Sequence, residues 1–246
     1  MFPLKDTIPG LRRPYVTYSL IAANVLVFII ELLFSDKTRI IGGHSVNALE
    51  TIFHEYGFIA ARISKPEFWS SFDFLFPNSP VLFISMFTSI FLHGGWTHLI
   101  SNMWALFIFG DNVEDKMGHF KFLLFYILCG LAGNIMQFAS EPFSNIPLIG
   151  ASGAIAGIMG AYLVLFPHSK VITLFLLIIF PLILPIPAPI YLGVWFFLQF
   201  LNGSTTILSN FNGGGVAYWA HIGGFIFGML TFKWFERNYR IKFKNQ

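Results

Sequence analysis

The chain has 246 residues, of which 55% are hydrophobic and 11% are charged, and its net charge is +3. A soluble domain usually carries about 25% charged residues, so this chain cannot cover a water-facing surface and is predicted to be a one-domain integral membrane protein. Its positive residues lie at the termini and in certain loops, which indicates membrane topology and excludes a nucleic-acid-binding surface. The single cysteine, Cys129, excludes a disulfide framework and a cysteine-based metal site.

Six apolar stretches predict an all-α membrane protein with six transmembrane helices. About 20 apolar residues are enough to cross a bilayer core of about 30 Å. The predicted spans, in chain order, are Val16–Phe34, His93–Gly110, Phe122–Phe138, Ser152–Phe166, Ala188–Leu201 and Ala217–Phe235. Together they define a membrane domain at residues 16–235, in which the short fourth helix must end inside the protein.

The segments between these spans differ in polarity. Residues 35–80 are the longest polar region and predict a long first outer loop, partly helical, that lies on the membrane. Val81–Leu92 is apolar and is expected to dip into the interface, whereas Asp111–Lys121 predicts a short charged turn. Residues 171–184 are followed by closely spaced prolines, which end helices, so this segment is predicted to be a membrane-dipping connection.

Lysine and arginine residues are distributed unevenly among the predicted loops. Residues 1–15, the turns after the second and fourth spans, and the basic tail at 236–246 carry them, whereas the loops 139–149 and 202–216 carry none. The loop 35–80 carries four, but long loops weigh little in setting orientation. Because cytoplasmic loops are enriched in these residues, both termini are predicted to be cytoplasmic. The chain is expected to be multi-pass, in a bacterial inner (plasma) membrane. Ser152 then lies below the outer surface.

Ser152 stands where a loop becomes an apolar helix of small residues. The free N–H groups and dipole of a helix N-terminus favour negative charge, as an attacking alkoxide or an oxyanion requires. Gly150 and Gly153 let a substrate backbone approach closely. The alternative is structural: serine is common at helix N-termini, and Gly153, Gly157 and Ala161 form a small-residue packing face. The segment alone leaves both explanations open.

His221 lies inside the predicted sixth span, where an ionisable residue is costly and indicates function. Gly224 and Gly228 follow it on the same helix face, and the fourth span carries small residues on the face of Ser152. Two such faces can pack closely and bring the imidazole within hydrogen-bond reach of the serine. The alternative is a histidine that only bonds across helices.

His98 and Asn102 form a second polar pair, four residues apart and therefore on one helix face. Both can donate hydrogen bonds, so together they can stabilise a developing oxyanion. The alternative is a polar contact that clasps two helices.

No aspartate or glutamate occurs between Pro142 and Phe235. The last three spans therefore offer no acid for a Ser-His-Asp triad, and a serine hydrolase built on them would use a Ser-His dyad. The same absence argues against an intramembrane aspartyl protease and against a proton-coupled transporter on those helices. The sequence also contains no H-E-x-x-H, which excludes that type of zinc protease.

Taken together, these residues resemble the rhomboid family of intramembrane serine proteases over roughly residues 83–230. The resemblance rests on four motifs that occur in the family's order. They read Phe91-Leu-His-Gly-Gly-Trp-Thr-His98-Leu-Ile-Ser-Asn102, Gly150-Ala-Ser152-Gly153, Trp195-Phe-Phe-Leu-Gln199 and Ala220-His221-Ile-Gly-Gly224. It implies a rhomboid-like six-helix bundle whose active site lies in a water-filled cavity. It also implies single-pass transmembrane proteins as substrates and requires no metal or organic cofactor.

The resemblance also implies a role for each polar residue. Ser152 would be the nucleophile and His221 the general base of an acyl-enzyme mechanism. His98, Asn102 and the backbone amide of Ser152 would form the oxyanion hole.

Further residues would bind or admit the substrate, and the chain departs from the family in two respects. Trp195 and Gln199 would line a lateral gate on the fifth span, and Gly150 and Gly153 would leave room for the substrate backbone. Some members carry an aromatic residue four positions after the serine that stacks on the histidine, whereas this chain has Ala156 there. A Trp-Arg pair that many members carry in the first loop is absent here. What orients the His221 ring is therefore open.

A different class of function remains as the alternative. The chain would then be a non-catalytic rhomboid-like protein that binds membrane clients, or a small transporter. Ser152 would be packing material and His221 a structural polar contact.

Overall fold

The computed structural model describes residues 1–41, 44–64, 81–177, 180–209 and 215–236, which fold mostly into helices. The helices are α1 (Tyr15–Phe34), α2 (Ala48–Tyr56), α3 (Ala61–Ser64), α4 (Val81–Thr88), α5 (Trp96–Met117), α6 (His119–Ser140), α7 (Ser152–Leu165), α8 (Ala188–Ser209) and α9 (Tyr218–Phe235). The strands are β1 (Phe2–Asp6), β2 (Thr38–Ile41), β3 (His44–Asn47), β4 (Lys170–Leu177) and β5 (Phe180–Pro187). The predicted outer loop thus contains β2, β3, α2 and α3, while its residues 65–80 and the tail after Glu236 lie outside the described residues.

Each predicted span falls on one of these helices, namely α1, α5, α6, α7, α8 and α9. Within the described part of the chain, α1 and α6 are long and apolar enough to cross a membrane, and α7 is a shorter apolar helix. The number of helices that cross the membrane stays a prediction.

The charged turn predicted at Asp111–Lys121 is wrong for most of its length. Helix α5 continues to Met117, and α6 begins at His119. The chain changes direction at Gly118, whose φ of +79° suits glycine. The helix extends past its apolar stretch because its polar residues have tertiary partners: the side chain of Asn112, for example, donates to the carboxylate of Asp6 over 2.9 Å.

Among these polar residues, Glu114 joins helix α5 to helix α1. Its buried carboxylate accepts hydrogen bonds from the backbone N–H groups of Val16 (2.9 Å) and Thr17 (2.8 Å). These groups lie in the first turn of α1, where helix N–H groups have no partner within the helix, and α1 has no side-chain cap of its own. A negative charge there is also favoured by the helix dipole. Glu114 therefore caps α1 from α5 and joins the two helices.

Helix α7 lies at the centre and packs backbone to backbone on α9. A β-carbon at Gly224 would collide with the carbonyl oxygen of Gly153, and one at Gly228 would collide with that of Gly157. Small residues therefore bring the two helices together. The contact runs along Gly153 and Gly157, the face of the packing explanation, and not only along the predicted face of Ser152. It also reaches Gly160 of the predicted face, where a β-carbon would collide with the carbonyl oxygen of Phe225. Close helix approach and a functional serine are thus compatible.

The predicted membrane-dipping connection at 171–184 falls on the β-hairpin of β4 and β5. The predicted all-α fold class therefore misses a three-stranded sheet. Strands β4 and β5 pair antiparallel, and β1 adds to the other side of β4, with Phe2 opposite Leu174 and Asp6 opposite Val171. The run of β-branched and aromatic residues favours a strand, and the prolines of β5 cannot continue a helix. Residues 1–15, predicted as a cytoplasmic segment, therefore include a strand that packs on the helices.

Candidate active site

Ser152 is the first residue of α7 and lies at a sharp entry to the helix. Gly150, two residues earlier, has φ +125°, which L-residues rarely adopt, and its N–H donates to the carbonyl of Ser89 over 2.8 Å. Ser152 is half-buried, and its Oγ makes no hydrogen bond to any residue that the structure describes. The hydroxyl therefore faces the site without a competing partner, next to the free N–H groups of the helix N-terminus.

His221 lies in the first turn of α9 and is 9% exposed. Its Nδ1 lies 2.8 Å from Oε1 of Gln199 on α8. An amide oxygen only accepts hydrogen bonds, so Nδ1 must carry the proton and donate. In the neutral ring, Nε2 is then left with a lone pair that can accept a proton. The bond to Gln199 thus selects the tautomer that a general base needs.

The face of the His221 ring is covered by Trp195, one turn before Gln199 on α8. The two ring centroids lie 5.9 Å apart with the planes inclined by 28°, a stacked arrangement. Phe225 lies behind the indole, 6.0 Å from it. Two residues predicted to line a gate therefore contact the imidazole, and Trp195 supplies an aromatic contact that Ala156 cannot.

The first turns of α7 and α9 meet where Ser152 and His221 lie. A β-carbon at Gly153 would stand 3.4 Å from the carbonyl oxygen of Ala220, so the neighbours of the two residues are in contact. Within the described residues, no hydrogen bond joins Ser152 Oγ to the imidazole. Catalytic hydrogen bonds are often long without substrate and tighten when it binds, so this geometry is compatible with a dyad. The dyad itself stays a prediction.

His98 lies against the loop that leads to Ser152. Its Nδ1 accepts a long hydrogen bond of 3.4 Å from the N–H of Gly94, which leaves Nε2 as the protonated nitrogen of a neutral ring. A β-carbon at Gly150 would lie 2.6 Å from this Nε2 and 3.6 Å from Oγ of Ser152. The absent side chain at Gly150 thus leaves room between a donor and the hydroxyl, where the oxygen of an attacked carbonyl can be bound.

Asn102, the second predicted oxyanion donor, is tied to His93. Its Nδ2 donates to Nε2 of His93 over 3.1 Å, and Nδ1 of His93 in turn faces the carbonyl of Phe91 at 3.2 Å. One N–H of the Asn102 amide is therefore engaged, and the other is left for a ligand. The rings of His93 and His98 meet edge to face, 5.0 Å apart.

The sequence reasoning missed His93 and its partner Glu31. The carboxylate of Glu31, on α1, accepts from the backbone N–H of His93 at 3.1 Å and 3.3 Å. Glu31 is 2% exposed and His93 is 1% exposed. A signal was available, because Glu31 is the only charged residue in α1, and charged residues in a span usually have a function. Glu31 thus fixes the turn that places His93 against Asn102.

Comparison with known proteins identifies relatives over this part of the chain. A family model described as the Rhomboid domain matches residues 82–237. The protein YdcA of Bacillus subtilis (strain 168) is 42% identical over 96 residues, which are 35% of this chain and 48% of that protein. Rhomboid protein 1, mitochondrial, of Saccharomyces cerevisiae is 32% identical over 156 residues, 60% of this chain and 40% of that protein. Rhomboid protease GluP of Bacillus subtilis is 33% identical over 151 residues, 61% of this chain and 24% of that protein. The matched region covers less than half of each relative.

Proposed function

The chain belongs to the rhomboid family of membrane proteins, and from this premise we propose that it is an intramembrane serine endopeptidase that cleaves the transmembrane helices of single-pass proteins. One observation carries the proposal. The hydrogen bond from Nδ1 of His221 to Gln199 leaves Nε2 as a base, in the turn of α9 that packs against the turn of α7 bearing Ser152.

The proposed first step is acylation. Nε2 of His221 takes the proton of the Ser152 hydroxyl while Oγ attacks the scissile carbonyl carbon. The carbonyl oxygen becomes an oxyanion, which the backbone amide of Ser152, Nε2–H of His98 and the remaining amide N–H of Asn102 stabilise. The imidazolium then protonates the leaving amine, the peptide bond breaks, and the acyl-enzyme remains.

Deacylation repeats these proton transfers with water. His221 takes a proton from the attacking water, the tetrahedral intermediate collapses, and the proton returns to Oγ of Ser152. Gly150 and Gly153 accommodate the substrate backbone beside the serine, and Trp195 and Gln199 border the route by which a substrate helix enters. The distribution of lysine and arginine supports cytoplasmic termini, with water reaching the site from the outer side. A bacterial plasma membrane is the proposed location.

A fluorophosphonate probe tests this function directly. Purified full-length protein is expected to be labelled, and Ser152→Ala is expected to lose the label while it keeps its thermal unfolding transition. His221→Ala is expected to abolish cleavage of a transmembrane model substrate, and Asn102→Ala to slow it about 10²- to 10³-fold. A folded wild-type protein that is never labelled and cleaves nothing would contradict the proposal and favour a non-catalytic client-binding protein.

A further inference from the structure

The β4–β5 hairpin presents apolar side chains that no other part of the described chain covers. All residues from Phe180 to Pro185 are exposed. The exposed fractions reach 73% at Leu176, 71% at Phe180 and 55% at Ile183. Successive side chains of a strand point to opposite faces, so both faces of the hairpin end are uncovered. No charged residue occurs between Lys170 and Pro187. A protruding apolar surface of this kind marks a contact with another apolar phase or partner.

The open edge of β5 has almost no hydrogen-bond donors. The N–H of Ala188 donates to the carbonyl of Ser169 over 2.9 Å, so the even-numbered residues of this strand direct their N–H groups toward β4. The odd-numbered residues then face the open edge, and three of them are Pro181, Pro185 and Pro187, which have no N–H. Ile183 alone offers a donor there. Such an edge cannot template pairing with another strand.

The prolines lower the cost of placing this edge in a medium without water, although the N–H of Ile183 and the carbonyls of the odd-numbered residues stay unpaired. Open sheet edges are excluded from the hydrocarbon core because each unpaired backbone polar group costs several kcal/mol there. Prolines at alternate positions remove most of the unpaired N–H groups, and unpaired carbonyls are the better tolerated of the two. The other side of the sheet is covered, because Nε1 of Trp104 on α5 donates to the carbonyl of Pro3 in β1 over 2.6 Å.

Contacts of β1 show how deep the sheet lies. Asp6 is bonded to Asn112 of α5, and Phe2 stacks on Trp104 of the same helix. The eight residues from Asn112 to Trp104 rise about 12 Å along a helix, and the four residues from Asp6 to Phe2 rise about 13 Å along a strand. Strand β1 therefore runs beside α5, from its far end toward the end where Ser152 lies. Strand β4 pairs with β1 and continues three residues beyond Leu174, the partner of Phe2.

The end of the sheet at Lys5 and Lys170, called its base here, is polar, in contrast to the apolar end of the hairpin. Lys5 and Lys170 are exposed there, and Arg12 and Arg13, which precede α1, are exposed too. The acidic side chains at this level are partly buried and bonded: Asp6 accepts from Asn112, and Asp115 accepts from the N–H of Leu11. Cations at this level suit the headgroups of anionic lipids, and the apolar strands above them suit acyl chains. The hairpin connects two helices of the membrane domain, since β4 follows α7 and β5 continues directly into α8.

We propose that the β4–β5 hairpin is inserted into the acyl chains of the bilayer leaflet opposite Ser152, with its cationic base at the headgroups. The uncovered faces, the donor-poor edge and the position beside α5 all fit this one occupant. A second copy of the chain fits less well, because an edge of prolines cannot extend a sheet across two molecules. The proposal rests on membrane embedding of the family and is independent of catalysis.

Spin labels at single cysteines test the insertion in full-length protein reconstituted into phosphatidylcholine–phosphatidylglycerol vesicles. Cys129→Ala removes the only native cysteine. Labels at Leu182 and Ile183 report the two faces of the hairpin. Leu26, an exposed residue of the apolar helix α1, serves as the lipid reference, and the exposed Asp36, just after α1, serves as the water reference. Relaxation by oxygen, which concentrates in hydrocarbon, is compared with relaxation by a water-soluble nickel chelate.

Both hairpin labels are expected to match the lipid reference, with high exposure to oxygen and low exposure to the chelate. Labels that match Asp36 would overturn the proposal and place the hairpin in water. Labels protected from both reagents would overturn it in favour of a covering protein segment. Spin–spin broadening that disappears on dilution with unlabelled protein would overturn it in favour of a second copy.

Discussion

Replacement of Gln199 by leucine is expected to slow cleavage about 10- to 150-fold while leaving the protein folded. In the structure, Nδ1 of His221 donates to Oε1 of Gln199 over 2.8 Å. The ring becomes cationic when Nε2 takes the serine proton, and a hydrogen bond to a charged group contributes about 1.5–3 kcal/mol. Each 1.36 kcal/mol of transition-state stabilisation corresponds to a factor of about ten in rate, which gives the expected range.

The assay is the initial rate of cleavage of a fluorogenic transmembrane substrate, measured across pH with reconstituted variants. Gln199→Glu is expected to move the acid limb of the pH–rate profile to higher pH, because a carboxylate stabilises the imidazolium and so keeps the base protonated over a wider range. Gln137→Leu is the matched control: Oε1 of Gln137 accepts from the N–H of Ala220 over 3.2 Å, beside His221 but without touching its ring. This variant is expected to keep the wild-type pH profile.

Two results would refute the role of Gln199. One is a leucine variant with wild-type rate and pH profile. The other is a glutamate variant whose acid limb does not move although the enzyme remains active. Either result would leave the proposed Ser152–His221 dyad untouched, because that hypothesis is tested separately by the labelling experiment and by Ser152→Ala and His221→Ala.

Three further predictions concern residues that shape the bundle. Gly150→Ala is expected to abolish most cleavage. The new β-carbon would press on His98, and φ +125° costs an L-residue about 1–3 kcal/mol. Retained cleavage would show that the space beside Ser152 is not used. Gly224→Ala is expected to lower both the unfolding temperature and the cleavage rate, since overpacking costs about 1–3 kcal/mol. Gly193→Ala is the control and should change neither, because its β-carbon would have no neighbouring atom within 4 Å. Glu114→Gln should destabilise the protein by about 1.5–3 kcal/mol in denaturant unfolding, since an amide cannot replace the charge that caps α1. An unchanged unfolding midpoint would contradict that cap.

Local sequence patterns predicted the ends of α1 and α9 closely and the end of α5 poorly. Helix α1 begins one residue before the predicted Val16, and α9 one residue after the predicted Ala217. Helix α5 was cut short because its polar last turns end the apolar pattern, and the partners that stabilise them are distant in sequence. Glu114, for example, bonds to Thr17 across 97 positions. The presence of a charged residue in a sequence does not reveal whether its side chain will be buried and paired in the fold.

The strands were missed for a related reason. Apart from Lys170 and Thr173, the segment that forms β4 and β5 is apolar, and such a run carries no period that separates a strand from a buried helix. The prolines correctly predicted that no helix could continue. That β5 would pair with β4, and that β1 would complete the sheet, depends on contacts between Phe2–Asp6 and a segment far along the chain.

The partners of the candidate catalytic residues were harder to predict than the residues themselves. A lone histidine in a span, or a serine at the start of a helix, is visible in a single segment. The contact of His221 with Gln199 joins two helices 22 positions apart, and that of Glu31 with His93 joins segments 62 positions apart. The resemblance placed Gln199 at a gate, and only the structure brings it to the imidazole.

A glutamine beside His221 also accounts for how the proposed dyad would do without an acid. An aspartate at this depth would be a buried charge, which costs several kcal/mol unless it is fully paired. The amide oxygen of Gln199 orients the ring and selects the tautomer with no charge to desolvate, although it stabilises the imidazolium less than a carboxylate does. Trp195 adds a face-on contact that holds the ring plane. Because both groups lie on α8, any movement of that helix which admits a substrate must also act on the orientation of the base.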